Sequence, residues 1–288
     1  MTFPQNIGMR LSIDETSLSN GELYTIITNK EGKGKKGSLL AMVEGTKVEE
    51  ISPILGKLSE DQRSSVSEVT LDMAPHMARI IRESFPNATQ VLDRFHVQQL
   101  VTEALQEIRI ELRREALKAE NEGIKKAKEE GRQYSPFVFS NGDTEKQMLA
   151  RSRYLLFKPE SKWHENQRVR AKILFREYPA LRKGYALSMM FRNCYEASTT
   201  KKEASASLEK WYQKVQEKEI DQFVSAAESI KHHEQGILNY FPNRSTNAGA
   251  ESFNAKLKGF RSVVRGVRDK KFHLYRVAML YGGIEEIG

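Results

Sequence analysis

Along the chain, hydrophobic positions switch from a period of two to a period near 3.6. Met9, Leu11 and Ile13 alternate with polar residues, Leu23 to Thr28 is rich in β-formers, and Leu39 to Val43 is a third apolar run. These predict three strands joined by hairpins. Glycines and lysines at Gly32, Gly34 and Gly37 separate the last two. Lys47 to Leu58 places Val48, Ile51, Ile54, Leu55 and Leu58 at helical spacing, with Pro53 expected to delay or bend that helix. Val69 to Met73 returns to alternation, Pro75 suits the first turn of a helix carrying Met77, Ile80 and Ile81, and Thr89 to Leu92 reads as a strand. The predicted order is β-β-β-α-β-α-β.

Three hairpin strands followed by two helix-linked parallel strands describe a mixed α/β sheet covered by helices. Right-handed crossovers place strand four beside strand one. This order matches that of the ribonuclease-H-like fold. Asp14 has the opposite parity to Leu11 and Ile13, and Asp72 the opposite parity to Leu71 and Met73, so neighbouring strands are expected to bring both carboxylates to one sheet face. After His96 the pattern stays helical. Val97, Leu100, Val101, Ala104, Leu105, Ile108 and Leu112 form an apolar stripe. Further helical stretches run through 147–156, 166–178, 204–215 and 221–238. Three parts are therefore expected: 1–96 as the first part of a catalytic core, 97–245 as an all-helical insertion, and 246–288 as a C-terminal helix or helices completing the core. The polar stretch from Glu120 to Gly142 is the expected flexible excursion.

Composition narrows the function classes. The chain has 288 residues, 39% of them hydrophobic, enough for one large core or two smaller ones. No apolar run approaches the roughly 20 residues that cross a bilayer, and no secretory pattern opens the chain, so a cytoplasmic, nucleoid-associated protein without membrane partners is expected. The single cysteine, Cys194, excludes an intrachain disulfide and any zinc site built on two thiolates; it is expected to fill space in a helix. The net charge is +8. Between Arg244 and Arg276 nine basic residues face two acidic ones, a local excess that favours a nucleic acid through counterion release. The mixed-charge run from Arg109 to Arg132 reads instead as a solvated helix face.

Asp14, Asp72 and Glu251 carry the candidate chemistry. Each aspartate closes a strand-like run, and the glutamate sits in the first turns of a late helix that continues into the basic stretch. That pattern suits a carboxylate cage for two Mg²⁺ ions, with Mn²⁺ as a substitute, facing a phosphate polymer. Asp14 would bridge the ions while Asp72 and Glu251 each hold one side. The structural reading of each residue alone is a turn or helix cap, and for Glu251 a favourable helix-dipole interaction. Glu15 has the opposite strand parity and is expected to be a bystander. Asp93 and His96 form an accessory Asp-x-x-His element, read either as orienting a phosphate or a metal-bound water, or as capping the long helix that follows. Residues 251, 254 and 258 share a helix face, which places Asn254 and Lys258 beside the glutamate. Arg244, Asn254, Lys258, Arg261, Arg265, Arg268, Lys270 and Lys271 are the expected DNA contacts, mostly to the backbone. Trp163 and Trp211 are expected in the helical core, with stacking on a flipped base as the minor alternative. Gly32 and Gly37 have the spacing of a phosphate loop, but Ser38 stands where that loop needs lysine, so a hairpin is the better account and ATP is not implied.

Asp14-Glu15, Leu71-Asp72-Met73, Phe85-Pro86-Asn87-Ala88 leading into Asp93-Arg94-Phe95-His96-Val97, and Thr246-Asn247-Ala248 with Glu251, Asn254 and Lys258 together resemble the DDE transposases of the ISL3 insertion-sequence family. The resemblance covers nearly the whole chain. It implies a ribonuclease-H-like catalytic core with an inserted helical domain, cleavage and strand transfer at transposon ends, double-stranded DNA (ends and target) as partner, at least a homodimer on DNA, and Asp14, Asp72 and Glu251 as the catalytic triad. Family members usually begin with a zinc-finger and helix-turn-helix region that reads the ends, whereas this chain starts almost directly at strand one. End recognition is therefore expected from a separate DNA-binding protein, or the chain is a fragment or decayed copy. Two rival readings stand beside this one: a catalytically idle nucleic-acid-binding or assembly protein of the same descent, and a simpler ribonuclease-H-like nuclease or resolvase.

Overall fold

A computed structural model describes residues 1–18, 22–263 and 270–283, with Val263, Lys270 and Lys271 described by backbone alone. Five strands form one sheet in the order β3-β2-β1-β4-β5. They are β1 (Arg10–Ser17), β2 (Leu23–Asn29), β3 (Leu39–Glu44), β4 (Glu68–Leu71) and β5 (Thr89–Leu92). The first three pair antiparallel, and β1–β4 and β4–β5 pair parallel. Strand four thus lies beside strand one, as the crossover argument requires. The β2–β3 connection is a hairpin loop in which Lys33, Gly34 and Gly37 have positive φ, and a strand rather than a helix follows it.

Between β3 and β4 lie α1 (Val48–Leu55) and the short α2 (Glu60–Ser64), and α3 (Pro75–Ser84) links β4 to β5. Pro53 is accommodated inside α1 rather than delaying it. The helix begins only five residues earlier, so the lost backbone bond is one from the first turn. Helices α1 and α3 pack together, α3 burying Met77, Ile80 and Ile81.

The chain divides into two compact units, residues 1–97 with 233–288, and residues 98–232. In the first unit, α10 (Glu234–Leu238), α11 (Tyr240–Asn243), α12 (Ala248–Val263) and α13 (Lys270–Tyr281) follow the sheet in sequence. Phe253 and Leu257 of α12 join Phe3, Tyr24, Ile26, Leu39, Met42, Val277 and Ala278 in one apolar cluster. The i, i+4 spacing of Phe253 and Leu257 puts both on the face of α12 that meets the sheet. Each such burial stabilises by about 1.5–3 kcal/mol. Residues 233–245, which the periodicity groups with the helical insertion, also bond to the strands: Asn239 donates to the Gln90 carbonyl at 2.8 Å.

The second unit is helical. It contains α4 (Arg94–Glu129) from Gln98 onward, α5 (Glu145–Arg151), α6 (Glu165–Glu177), α7 (Pro179–Ala197), α8 (Lys201–Lys218) and α9 (Asp221–His232). Helix α4 runs through the first ten residues of the expected excursion, because Glu, Lys and Ala there favour helix and one internal glycine costs only about 1 kcal/mol. Both tryptophans are core residues, Trp211 fully buried with its indole N–H on the Leu187 carbonyl and Trp163 bonded to the Leu155 carbonyl, which removes the base-stacking alternative. Arg109 departs from the expected solvated face. It is buried and donates to Gln106 Oε1 at 2.6 Å and to the Leu149 carbonyl at 3.1 Å. Gly184 allows α7 to approach Leu105, Ile108 and Phe223, since a Cβ there would stand 3.1–3.2 Å from their side chains. Among the described residues, no helix is long and apolar enough to cross a membrane.

Candidate active site

Three aspartates lie in or just after three adjacent strands, Asp14 inside β1 and Asp72 and Asp93 one residue beyond β4 and β5. Ser12 pairs with Thr70, and Thr70 with Val91. Two residues beyond these partners come Asp14, still inside β1, and Asp72 and Asp93, each the first residue after its strand. Asp14 lies within β1, and its Oδ1 accepts the Glu15 N–H at 2.9 Å. Asp72 follows β4 directly; its Oδ1 accepts the Ala74 N–H at 2.8 Å, a tight turn leading into Pro75 at the start of α3. Asp93 lies between β5 and α4 and is 2% exposed. Its Oδ1 accepts the Asn247 N–H at 3.2 Å, while Oδ2 has no protein partner among the described residues.

The segment before helix α12 is pegged to β4 and β1 by polar side chains. Asn243 donates to Glu68 at 2.8 Å, and Ser245 donates to the other oxygen of the same carboxylate. Asn247 reaches the Ile13 carbonyl at 3.2 Å. Within α12, Asn254 Nδ2 donates to Asp14 Oδ2 at 2.7 Å. Buried Glu68 also faces Lys30, whose ammonium lies 3.7 Å away and donates to the Thr70 hydroxyl. Burial pushes the Lys30 pKa down to about 8, against the pull of Glu68.

Electrostatics join the sequence-predicted acids. The Asp14 carboxyl is held above the usual aspartate range, first by burial and then by the negative charges of Asp72 and Glu251, with the Glu15 N–H and His96 acting in the opposite sense. The Asp72 and Glu251 charges both act on Asp14. A tighter grouping is formed by Asp93, His96 and Glu251, each offering one ligand atom, with these atoms all within 4.8 Å of one another. Glu251 is exposed in the first turn of α12, and the His96 ring meets Phe95 edge-on at 5.6 Å. Oxygen-rich donors, an orphaned buried carboxylate oxygen and a carboxyl destabilised by its neighbours fit a divalent cation.

The remaining expected residues fall in different places. Glu15 is bonded to His76 at 2.6 Å. Asn254 is buried against Asp14 and offers no exposed surface to DNA. Lys258 is exposed on α12, Arg261 is half-buried further along it, and Arg244 adopts a left-handed conformation four residues before α12. Arg265 and Arg268 lie outside the described residues, as do the side chains of Lys270 and Lys271. Asn247, Glu68 and Lys30 also support the site, Asn247 through Asp93 and the Ile13 carbonyl and Lys30 through Glu68, and no local sequence pattern marks them. Asp93 was read without its parity, although its match to Val91 in a strand as short as β5 was the available signal.

The family described as transposase, DDE ISL3 type, matches residues 11–278 of this chain. The transposase for insertion sequence element IS1557 of Mycobacterium tuberculosis strain CDC 1551 / Oshkosh is 26% identical over 277 residues, covering 94% of this chain and 59% of the relative. The same element's transposase in strain H37Rv matches with the same figures. The chain spans 59% of the length of these curated relatives.

Proposed function

Because the chain belongs to the ISL3 family of DDE transposases, we propose that it cleaves DNA strands at insertion-sequence ends and joins them to target DNA, with Asp14, Asp72 and Glu251 as its catalytic carboxylates. The observation that carries this reading is the bond from Asn254, on the helix that bears Glu251, to Asp14 on the central strand next to β4 and Asp72, with the Asp72 and Glu251 charges both acting on Asp14. The order β3-β2-β1-β4-β5, antiparallel then parallel, supports a ribonuclease-H-like core. A pair of Mg²⁺ ions, replaceable by Mn²⁺, would supply activation of the attacking hydroxyl and charge neutralisation of the leaving oxygen. Asp14, Asp72 and Glu251 would hold these ions. Asn254 orients Asp14 by its amide. Lys258, exposed seven residues from Glu251 on the same helix, contacts a DNA phosphate, and Arg261, Arg265, Arg268, Lys270 and Lys271 are the further DNA contacts expected from the sequence. The partners are double-stranded DNA and a second copy of the chain in a nucleoid-associated complex. Reading of the specific ends falls to a separate DNA-binding region or protein.

The test is cleavage and strand joining on DNA carrying the element's own ends, in Mg²⁺ or Mn²⁺. The wild-type chain yields joined products, and Asp72→Asn loses them while retaining DNA binding. Binding without turnover in the wild type would favour the idle scaffold, and cleavage without joined products a plain nuclease.

A further inference from the structure

We propose that Asp93, His96 and Glu251 form a distinct cation subsite that takes a divalent transition metal of the Mn²⁺ class in preference to Mg²⁺ and shares Glu251 with the acid set of Asp14 and Asp72. The first support is proximity: one ligand atom from each residue lies within 4.8 Å of the other two. Donors around a bound first-row cation stand roughly 3 Å apart, given metal–ligand distances near 2.1 Å. The second support is independent of the grouping. Asp93 is 2% exposed, its Oδ1 is occupied by the Asn247 N–H, and its Oδ2 meets no donor among the described residues. An unmet buried carboxylate oxygen is destabilising, and a bound cation would relieve it.

Local structure preorganises the pair. The Val97 N–H bonds to the Asp93 carbonyl at 3.2 Å and opens α4 there, so Asp93 and His96, three residues apart, project from the same turn. The Asn247 N–H fixes the carboxylate as an outer-sphere partner fixes a metal ligand. The donor set decides the metal. Mg²⁺ prefers oxygen and water, whereas an imidazole nitrogen beside two carboxylates suits Mn²⁺, Fe²⁺, Co²⁺ or Zn²⁺. Glu251 belongs to both groups because its charge also acts on Asp14. The subsite rests on the proposed function only through this shared residue, and its test can be made without turnover.

The experiment uses the full chain, Mn²⁺ alone and pulsed electron paramagnetic resonance, which detects nitrogen bound to manganese. Nitrogen coupling is expected in the wild type and in the Asp14→Asn/Asp72→Asn double variant. His96→Gln loses the coupling and weakens Mn²⁺ binding about 10–100-fold, with Mg²⁺ affinity changed by less than about threefold. Asp93→Asn weakens Mn²⁺ in the same way and serves as the second variant should His96→Gln fold poorly. Absence of coupling in the wild type, or its survival in a folded His96→Gln protein through another of the six histidines, overturns the subsite. The double variant separates the two readings. Loss of strand joining with retained nitrogen coupling supports both, whereas retained joining rejects the acid triad and leaves the subsite to be judged by the resonance signal.

Discussion

Asn254 on α12 donates its amide hydrogen to Asp14 Oδ2 on β1 at 2.7 Å, across 240 residues of sequence. This bond ties the helix bearing Glu251 to the strand bearing the first aspartate. A hydrogen bond to a carboxylate contributes about 1.5–3 kcal/mol. Asn254→Ala is expected to destabilise the fold by about that amount and to weaken Mg²⁺ binding roughly tenfold, and Asn254→Asp to weaken it further by placing a like charge against Asp14. Calorimetric titration with Mg²⁺ alone measures both, and unchanged affinity in the two variants would remove Asn254 from the site.

Asp14 also sets a pH dependence. Its folded pKa lies above the unfolded value of 3.8, so its contribution to stability is fully present below 3.8 and is lost as pH rises through the elevated folded value. Metal-free wild type is expected to lose stability relative to Asp14→Asn over that window. Saturating Mg²⁺ should flatten the difference, because the cation binds the ionised form. Urea denaturation at a series of pH values reads the difference curve, and a curve of opposite slope contradicts the assignment.

Glu68 gathers Lys30, Asn243 and Ser245 in a buried network beside the strands. Removing one partner from a buried ion pair typically costs about 3–5 kcal/mol, while replacing both by apolar residues is far milder. Glu68→Ala is therefore expected to destabilise by about that much, and the double replacement Lys30→Met/Glu68→Met to recover most of the loss. Equal destabilisation by the single and double variants in chemical denaturation would show that the two side chains are uncoupled.

In the helical unit, burial pushes the Cys194 thiol up to about 11. The thiolate is the reactive form, so a disulfide reagent at pH 8 should label the native chain at least a hundredfold more slowly than the unfolded chain. Labelling at the unfolded rate would place Cys194 at an open surface.

The alternation of residues along β1 and β4 made two of the three aspartates legible in the sequence, since side-chain parity is a local property. The strand order followed from hairpin lengths and crossover handedness. What escaped was long-range. Asn247 meets Asp93 from 154 positions away, and Asn243 and Ser245 meet Glu68 from 175 and 177. No local pattern records such pairings. The length of α4 was underestimated for another reason: a charged, apolar-poor stretch reads as a loop by hydrophobic period, yet its residues have high helical propensity. Asn254 was placed beside Glu251 by helical spacing, but spacing alone could not tell a surface contact from a buried bond to Asp14.

The register of β1 against β4 has a consequence for length changes in the sheet. Because Asp72 follows β4 directly, deleting one codon within Glu68–Leu71 would move Met73 into the place of Asp72 and exchange the side chains between the two buried faces of the strand. Length changes in these short strands are thus more damaging than most replacements, and a copy that drifts by gaining or losing single codons here forfeits fold and chemistry in one event.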